Sequence, residues 1–175
     1  MRVVCLISGD GSNLQALIDW QLKRLLGDAE IVGVVSNKAE AFGLECAKRA
    51  NIATTVLSHQ NYPDRYEFDR ALMSVIDDYE ADLIVLAGFM RILTTQFVNH
   101  YTNRLVNIHP SLLPKYKGLN THRRAIEAGD SIAGATVHWV TEELDSGGII
   151  RQVEVPIYAN DSEESLRQRV LEAEH

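Results

Sequence analysis

The sequence predicts a three-layer, Rossmann-like α/β fold: a mostly parallel sheet with helices on both faces and a late antiparallel strand pair. Three observations carry this expectation. Short apolar runs alternate with segments of helical periodicity, the order of successive βαβ units. The early runs, such as Val3-Val4-Cys5-Leu6-Ile7, are continuously apolar, which marks strands covered on both faces. Residues 133–140 instead alternate as a half-exposed strand does, and the run 149–155 that follows makes a candidate antiparallel partner.

The elements follow in order. The run 3–7 is a first strand. Residues 13–25 place Leu14, Leu17, Ile18, Leu22 and Leu25 at helical spacing. The run 30–36, with Ile31, Val32, Val34 and Val35, is a second strand, 41–50 a helix and 53–57 a short strand. A helix over 63–79 opens on Pro63, suited to a first turn, and puts Phe68, Leu72, Val75, Ile76 and Tyr79 on one face. Residues 83–87 and 105–108 are the next strands, 121–128 a helix, and a last helix begins near Asp161 or Ser162.

At 175 residues the chain is most simply one domain, 1–175, and its 46% hydrophobic content can bury on the order of 70% of the unfolded surface. A net charge of −7 and a pI near 5.3 argue against broad nucleic-acid binding, but leave room for small anionic substrates held by local cations. Cys5 and Cys46 lie in apolar surroundings outside any CxxC motif, as buried reduced thiols of a cytoplasmic protein do. The apolar start is too short for a signal peptide or membrane span, so no membrane partner is expected.

Candidate chemistry gathers in loops that a parallel sheet brings to its C-terminal edge. Ser8-Gly9-Asp10-Gly11-Ser12-Asn13-Leu14-Gln15 is a glycine turn between strand and helix, with free N–H groups at a helix N-terminus that suit an anion. Ser12 and Gln15 fit a capping box. The loop lacks the third glycine of a dinucleotide fingerprint and the lysine of a P-loop, and Ser36-Asn37-Lys38 follows the second strand in place of an acidic residue. A phosphate-bearing small molecule is favoured over NAD. Gly88-Phe89-Met90-Arg91-Ile92-Leu93, apolar with one arginine, suits a flat ligand. In Asn107-Ile108-His109-Pro110-Ser111-Leu112-Leu113-Pro114, Asn107 and His109 share one face of a strand. They combine an amide donor for an oxyanion with an imidazole for proton transfer. Thr141-Glu142-Glu143-Leu144-Asp145-Ser146-Gly147-Gly148 supplies carboxylates, of which Asp145 is placed to reach His109 and set its tautomer.

These runs, together with Val140, resemble the phosphoribosylglycinamide formyltransferases (GAR transformylases) of the folate-dependent formyltransferase superfamily, over nearly the whole chain. The Asn-x-His-Pro-Ser-Leu-Leu-Pro run is specific to the superfamily, and the Gly-Ser-Asn loop points to this member of it. The resemblance implies transfer of the formyl group of 10-formyltetrahydrofolate, the co-substrate, to the amine of glycinamide ribonucleotide in de novo purine (IMP) biosynthesis. It implies direct attack and a tetrahedral intermediate, with no metal, no nucleic acid and no membrane, in a monomer or homodimer. By resemblance the catalytic residues are Asn107, His109 and Asp145. Gly11, Ser12, Asn13 and Glu174 bind glycinamide ribonucleotide. Arg65, Met90, Arg91, Ile92, Leu93, Asn107, Thr141, Glu142, Glu143, Leu144 and Asp145 line the folate pocket. From charge alone, Lys115 and Lys117 would add positive potential, and Leu113-Pro114 is a candidate cis bond.

The sequence departs from the family at Asn120, commonly His, and at its end: family chains run a few dozen residues past Glu174-His175, so a C-terminal tail is expected to be missing. The alternatives are formyltetrahydrofolate hydrolase, which usually adds an N-terminal regulatory domain, methionyl-tRNA formyltransferase, which usually adds basic and C-terminal regions, and a phosphometabolite-binding module without catalysis.

Overall fold

A computed structural model describes residues 1–175. Seven strands, β1 (Arg2–Ile7), β2 (Glu30–Ser36), β3 (Thr54–Val56), β4 (Leu83–Leu86), β5 (Leu105–His109), β6 (Ile132–Trp139) and β7 (Ile149–Pro156), join one sheet in the order β3-β2-β1-β4-β5-β6-β7. The helices are α1 (Ser12–Leu22), α2 (Phe42–Arg49), α3 (Arg65–Asp78), α4 (Thr95–His100), α5 (Thr121–Glu127) and α6 (Glu163–Glu174). The chain forms two compact units, Met1–Val106 and Asn107–His175.

In the first unit β1 pairs in parallel with β2 and β4, and β2 with β3. All of Val3, Val4, Cys5, Leu6 and Ile7 are buried, so both faces of β1 are covered, as its unbroken apolar run requires. Burial pushes the Cys5 thiol up to about 12, so this cysteine is inert packing. α3 buries Phe68, Leu72 and Ile76, the stripe its periodicity predicts. Pro63 is not in its first turn. Asp64 is the cap, its carboxylate accepting from the backbone N–H of Tyr66 and Glu67 at 2.8 and 2.9 Å, and Pro63 precedes it.

Two further expectations are corrected here. Ser12 does not cap α1: Gly11 is the cap residue, in the left-handed conformation at φ 73°, with no side-chain cap, and the Gln15 side chain donates to Asp19 instead. The cause is a close approach, since a Cβ on Gly11 would lie 2.5 Å from Cα of Gly43 in α2. The short helix α4, absent from the expected elements, is organised by tertiary contacts. The buried Asp69 carboxylate accepts from the Thr94 N–H at 2.6 Å, and Thr94 Oγ1 then accepts from Phe97 N–H at 3.3 Å.

In the second unit β6 and β7 are antiparallel, as expected, with a register shift between Val137 and His138. Val137 faces Arg151 while His138 faces Ile149, so Ile150 is an extra residue that bulges β7. α6 docks Leu166 and Val170, both fully buried, onto Ala133, Ala135 and Val155. Ser162 and Ser165 form a reciprocal capping box at its start.

Arg169 and the Tyr158 N–H hold the Asp161 carboxyl well below the usual carboxylate range. A group whose folded value is depressed stabilises the fold above its unfolded value and stops doing so as pH falls through the folded one. Docking of α6 is therefore expected to loosen below about pH 4. An acid titration of helical circular dichroism checks this, because Asp161→Asn should show a smaller acid-dependent loss than wild type.

Candidate active site

Asn107 and His109 lie on β5, two residues apart, and Asp145 on the β6–β7 loop, and the structure brings these three together with His138. His109 is 6% exposed. Its Nε2 lies 2.9 Å from the Tyr116 carbonyl oxygen. A carbonyl only accepts, so Nε2 carries a proton, and it is this backbone oxygen rather than Asp145, as expected from the sequence, that fixes the ring; Nδ1 is left facing Asp145 and the site. Nδ1 is 3.5 Å from Asp145 Oδ2. The same oxygen accepts the Gly118 N–H at 2.8 Å, and Asp145 Oδ1 lies 3.7 Å from His138 Nε2. Asp145 takes a left-handed backbone at φ 48°, and Tyr116 at φ 56° and Asn120 at φ 57° do the same. Such conformations cost on the order of 1–3 kcal/mol each and concentrate where a loop must aim a group.

The 110–120 loop has a cis Leu113–Pro114 peptide, as expected. Ser111 holds it by donating to the Lys115 carbonyl at 2.6 Å. Lys115 is paired with Asp130 at 2.9 Å and Lys117 with Glu143 at 3.4 Å. Lys117 also donates to Ser146, linking this loop to 141–148. The positive potential expected of both lysines is thus largely offset by their partners. Thr141, Glu142, Glu143 and Leu144 are exposed, and Thr141 Oγ1 donates to the Glu143 carbonyl at 3.3 Å. Glu174 is the last residue of α6 and half-buried.

Among the first unit's predicted residues, Gly11 is buried, and Ser12 and Asn13 are half-buried at the start of α1. The first-unit segment 88–93 is tied to the loop that precedes α1. The Met90 N–H donates to Ser8 Oγ at 2.8 Å, and Ser8 donates to Asn37 Oδ1 at 2.6 Å. Met90 and Ile92 are exposed apolar side chains, and Leu93 is half-buried. The Arg91 guanidinium lies 6.0 Å from the Phe68 ring centroid, and its buried Nε makes no hydrogen bond. Arg65 is exposed on the first turn of α3.

Sequence reasoning missed His138, which is 2% exposed and 3.2 Å from Asn107. The one available signal was a histidine amid the small and β-branched residues of 133–140, and that pattern alone is commoner for a satisfied core residue.

The formyl transferase family model matches residues 1–175. The chain belongs to the formyl transferase family. It is 53% identical over 176 residues to the phosphoribosylglycinamide formyltransferase of Escherichia coli, covering 100% of this chain and 82% of that protein. It is 48% identical over 174 residues to the human trifunctional purine biosynthetic protein adenosine-3; here it covers 99% of this chain but spans only 17% of that longer protein. The solved phosphoribosylglycinamide formyltransferase of Coxiella burnetii, in complex with CHES, superposes with a TM-score of 0.94 at 49% identity, over 99% of this chain and 81% of that one. The fold of this formyltransferase is therefore that of the GAR transformylase structures.

Proposed function

We propose that this formyltransferase moves the formyl group of 10-formyltetrahydrofolate to the amine of glycinamide ribonucleotide, a step of de novo purine (IMP) biosynthesis. The observation that carries the reading is the convergence of half-buried Asn107, buried His109 and half-buried Asp145 in a chain whose family match runs from residue 1 to 175. Binding alone does not call for an imidazole, an amide and a carboxylate converging in this way. The match across both compact units supports treating residues 1–175 as a single formyltransferase domain.

In the proposed reaction the substrate amine attacks the formyl carbon. A C–N bond forms, the carbonyl electrons move to oxygen, and the tetrahedral intermediate collapses with cleavage of the bond to folate N10. With Nε2–H held by the Tyr116 carbonyl, His109 acts in its doubly protonated form beside Asp145, and its Nδ1–H and an Asn107 N–H donate to the oxyanion. Asp145 faces Nδ1 and accepts the proton that the amine loses, and that same proton is delivered to N10 as it leaves, so Asp145 ends ionised as it began. The backbone N–H groups at Gly11, Ser12 and Asn13 hold the substrate phosphate at the start of α1, and Glu174 meets the same substrate. Met90, Arg91, Ile92 and Leu93, with Arg65 and 141–145, receive the folate. The unpaired Arg91 Nε supports this assignment, because a buried donor without a partner calls for an acceptor. The free, buried Cys5 and Cys46 fit a reducing, cytoplasmic setting, and no helix is long and apolar enough to cross a membrane. The proposed working form is a monomer or homodimer.

A spectrophotometric assay with 10-formyl folate tests the function. Tetrahydrofolate release that depends on glycinamide ribonucleotide is expected. Equal release without it would reassign the chain as a hydrolase, and no release would leave a binding module. Within this reading Gly11→Ala is expected to raise KM for glycinamide ribonucleotide while keeping kcat. Its Cβ collides with Gly43 at the phosphate loop, whereas the reacting groups lie in 107–145. Steady-state kinetics in both substrates separates the two constants.

A further inference from the structure

We propose that His138 is a positioning residue for the transfer: as a neutral imidazole protonated on Nδ1, it turns the Asn107 carboxamide so that an N–H faces the developing oxyanion. The inference rests on the function proposed above and deepens it.

His138 Nδ1 is 2.9 Å from the carbonyl oxygen of Trp139. That oxygen only accepts, so Nδ1 must carry a proton. In the neutral ring Nε2 then holds a lone pair. The Asn107 Nδ2 lies 3.2 Å from it and donates. An amide nitrogen has two N–H groups, so one is committed to His138 and the second is left for a ligand. Were the carboxamide rotated by half a turn, its oxygen would meet the Nε2 lone pair, with two acceptors opposed in a site where His138 is 2% exposed. The same rotation would present an amide oxygen to the oxyanion. His138 therefore excludes the one orientation of Asn107 that would oppose the reaction. The bulge in β7 falls where β6 reaches His138, and bulges re-aim side chains beside active sites.

The ring must stay neutral for this role. The groups that face it are the Asn107 amide and His109 from β5, Asp145 from the 141–148 loop, and the Trp139 carbonyl on its own strand. Burial pushes the His138 imidazole below its ordinary range, with His109 acting in the same sense and the Trp139 carbonyl and Asp145 opposing. A proton on Nε2 would turn that nitrogen from an acceptor into a donor toward Asp145 Oδ1, 3.7 Å away, and release the amide.

Two measurements on the full chain test the inference. Long-range proton–nitrogen correlation spectra of histidine-labelled protein, assigned by the signal lost in His138→Gln, should show His138 protonated on Nδ1 and bare on Nε2 at neutral pH. In kinetics, His138→Phe and His138→Asn should lower kcat by up to about 100-fold with both KM values nearly unchanged, the size of effect that misplacing a reacting group produces. His138→Asn keeps a donor for the Trp139 carbonyl but loses the acceptor. His138→Gln puts an oxygen where Nε2 was and should recover most of the loss. Protonation on Nε2, wild-type kcat in His138→Phe, or a stably folded His138→Gln as slow as His138→Phe would each overturn the proposal. The tautomer is read without substrate, so it decides whether His138 orients the Asn107 carboxamide separately from whether the wild-type chain transfers formyl, and the two failures are told apart.

Discussion

His109→Ala and Asn107→Ala are each expected to lower kcat by roughly 100- to 1,000-fold, the cost of removing one oxyanion donor, with KM for both substrates largely kept. The argument is geometric. The Tyr116 carbonyl fixes the His109 tautomer from behind and directs Nδ1 toward Asp145 Oδ2 at 3.5 Å. Asn107 is held on the adjoining side by His138. In the proposed reaction both donors act on charge that exists only as the tetrahedral intermediate forms, so their loss falls on kcat rather than on ground-state binding. The two act on one oxygen as a unit, and the double variant should lose less than the product of the single losses. Asn107→Ala also leaves the His138 Nε2 buried without its donor, a penalty of about 1–3 kcal/mol. That is small against the ~5–15 kcal/mol by which domains are stable, so the protein stays folded and its kinetics remain readable. Steady-state rates with a thermal melt of each variant check the prediction, and near wild-type turnover in His109→Ala would sink the assignment.

Gly147→Ala is expected to cost about 100-fold in kcat although Gly147 has no side chain to touch a substrate. An added Cβ would stand 1.7 Å from the Trp139 carbonyl oxygen and 3.2 Å from Thr141 Cγ2. Restoring the 3.0 Å that Cβ contacts do not breach takes a movement of more than an ångström. The atom displaced is the acceptor of the His138 Nδ1–H, and the loop displaced carries Asp145. Both supports of the reacting groups therefore shift together, and the folate KM should rise as 141–145 move with them. Gly148→Ala is the control. Its Cβ comes no closer than 3.7 Å to the Trp139 ring and should be tolerated. Equal kinetics in the two variants would show that the Trp139 carbonyl does not govern the site.

Most of the fold was legible because it obeys local rules. The continuous burial of β1 follows from a run with no polar residue, and the α3 stripe from its spacing. The pair on β5 was legible because strand residues two apart share a face, and Asp145 because the loop after β6 is rich in carboxylates and the family resemblance points to this one. What escaped has a common physical origin in contacts made far along the chain. Ser12 followed by Gln15 satisfies the local pattern of a cap, yet Gly43 comes so close that the turn is made by Gly11. The helix α4 depends on Asp69, which lies 25 residues before Thr94. His138 bonds Asn107 across 31 residues, and no spacing rule relates those positions. The Tyr116 carbonyl that sets the His109 tautomer is backbone, which a sequence never displays.

The groups assigned to the transfer, Asn107, His109, His138 and Asp145, occur in one uninterrupted run of the chain, and the Gly11–Asn13 anchor and Glu174 fall outside it. Under the proposed assignment, the residues that choose what is formylated are different amino acids from those that move the formyl group. On that assignment the acceptor is open to redesign through the anchor with the transfer residues left intact, a division of labour that protein engineers can use.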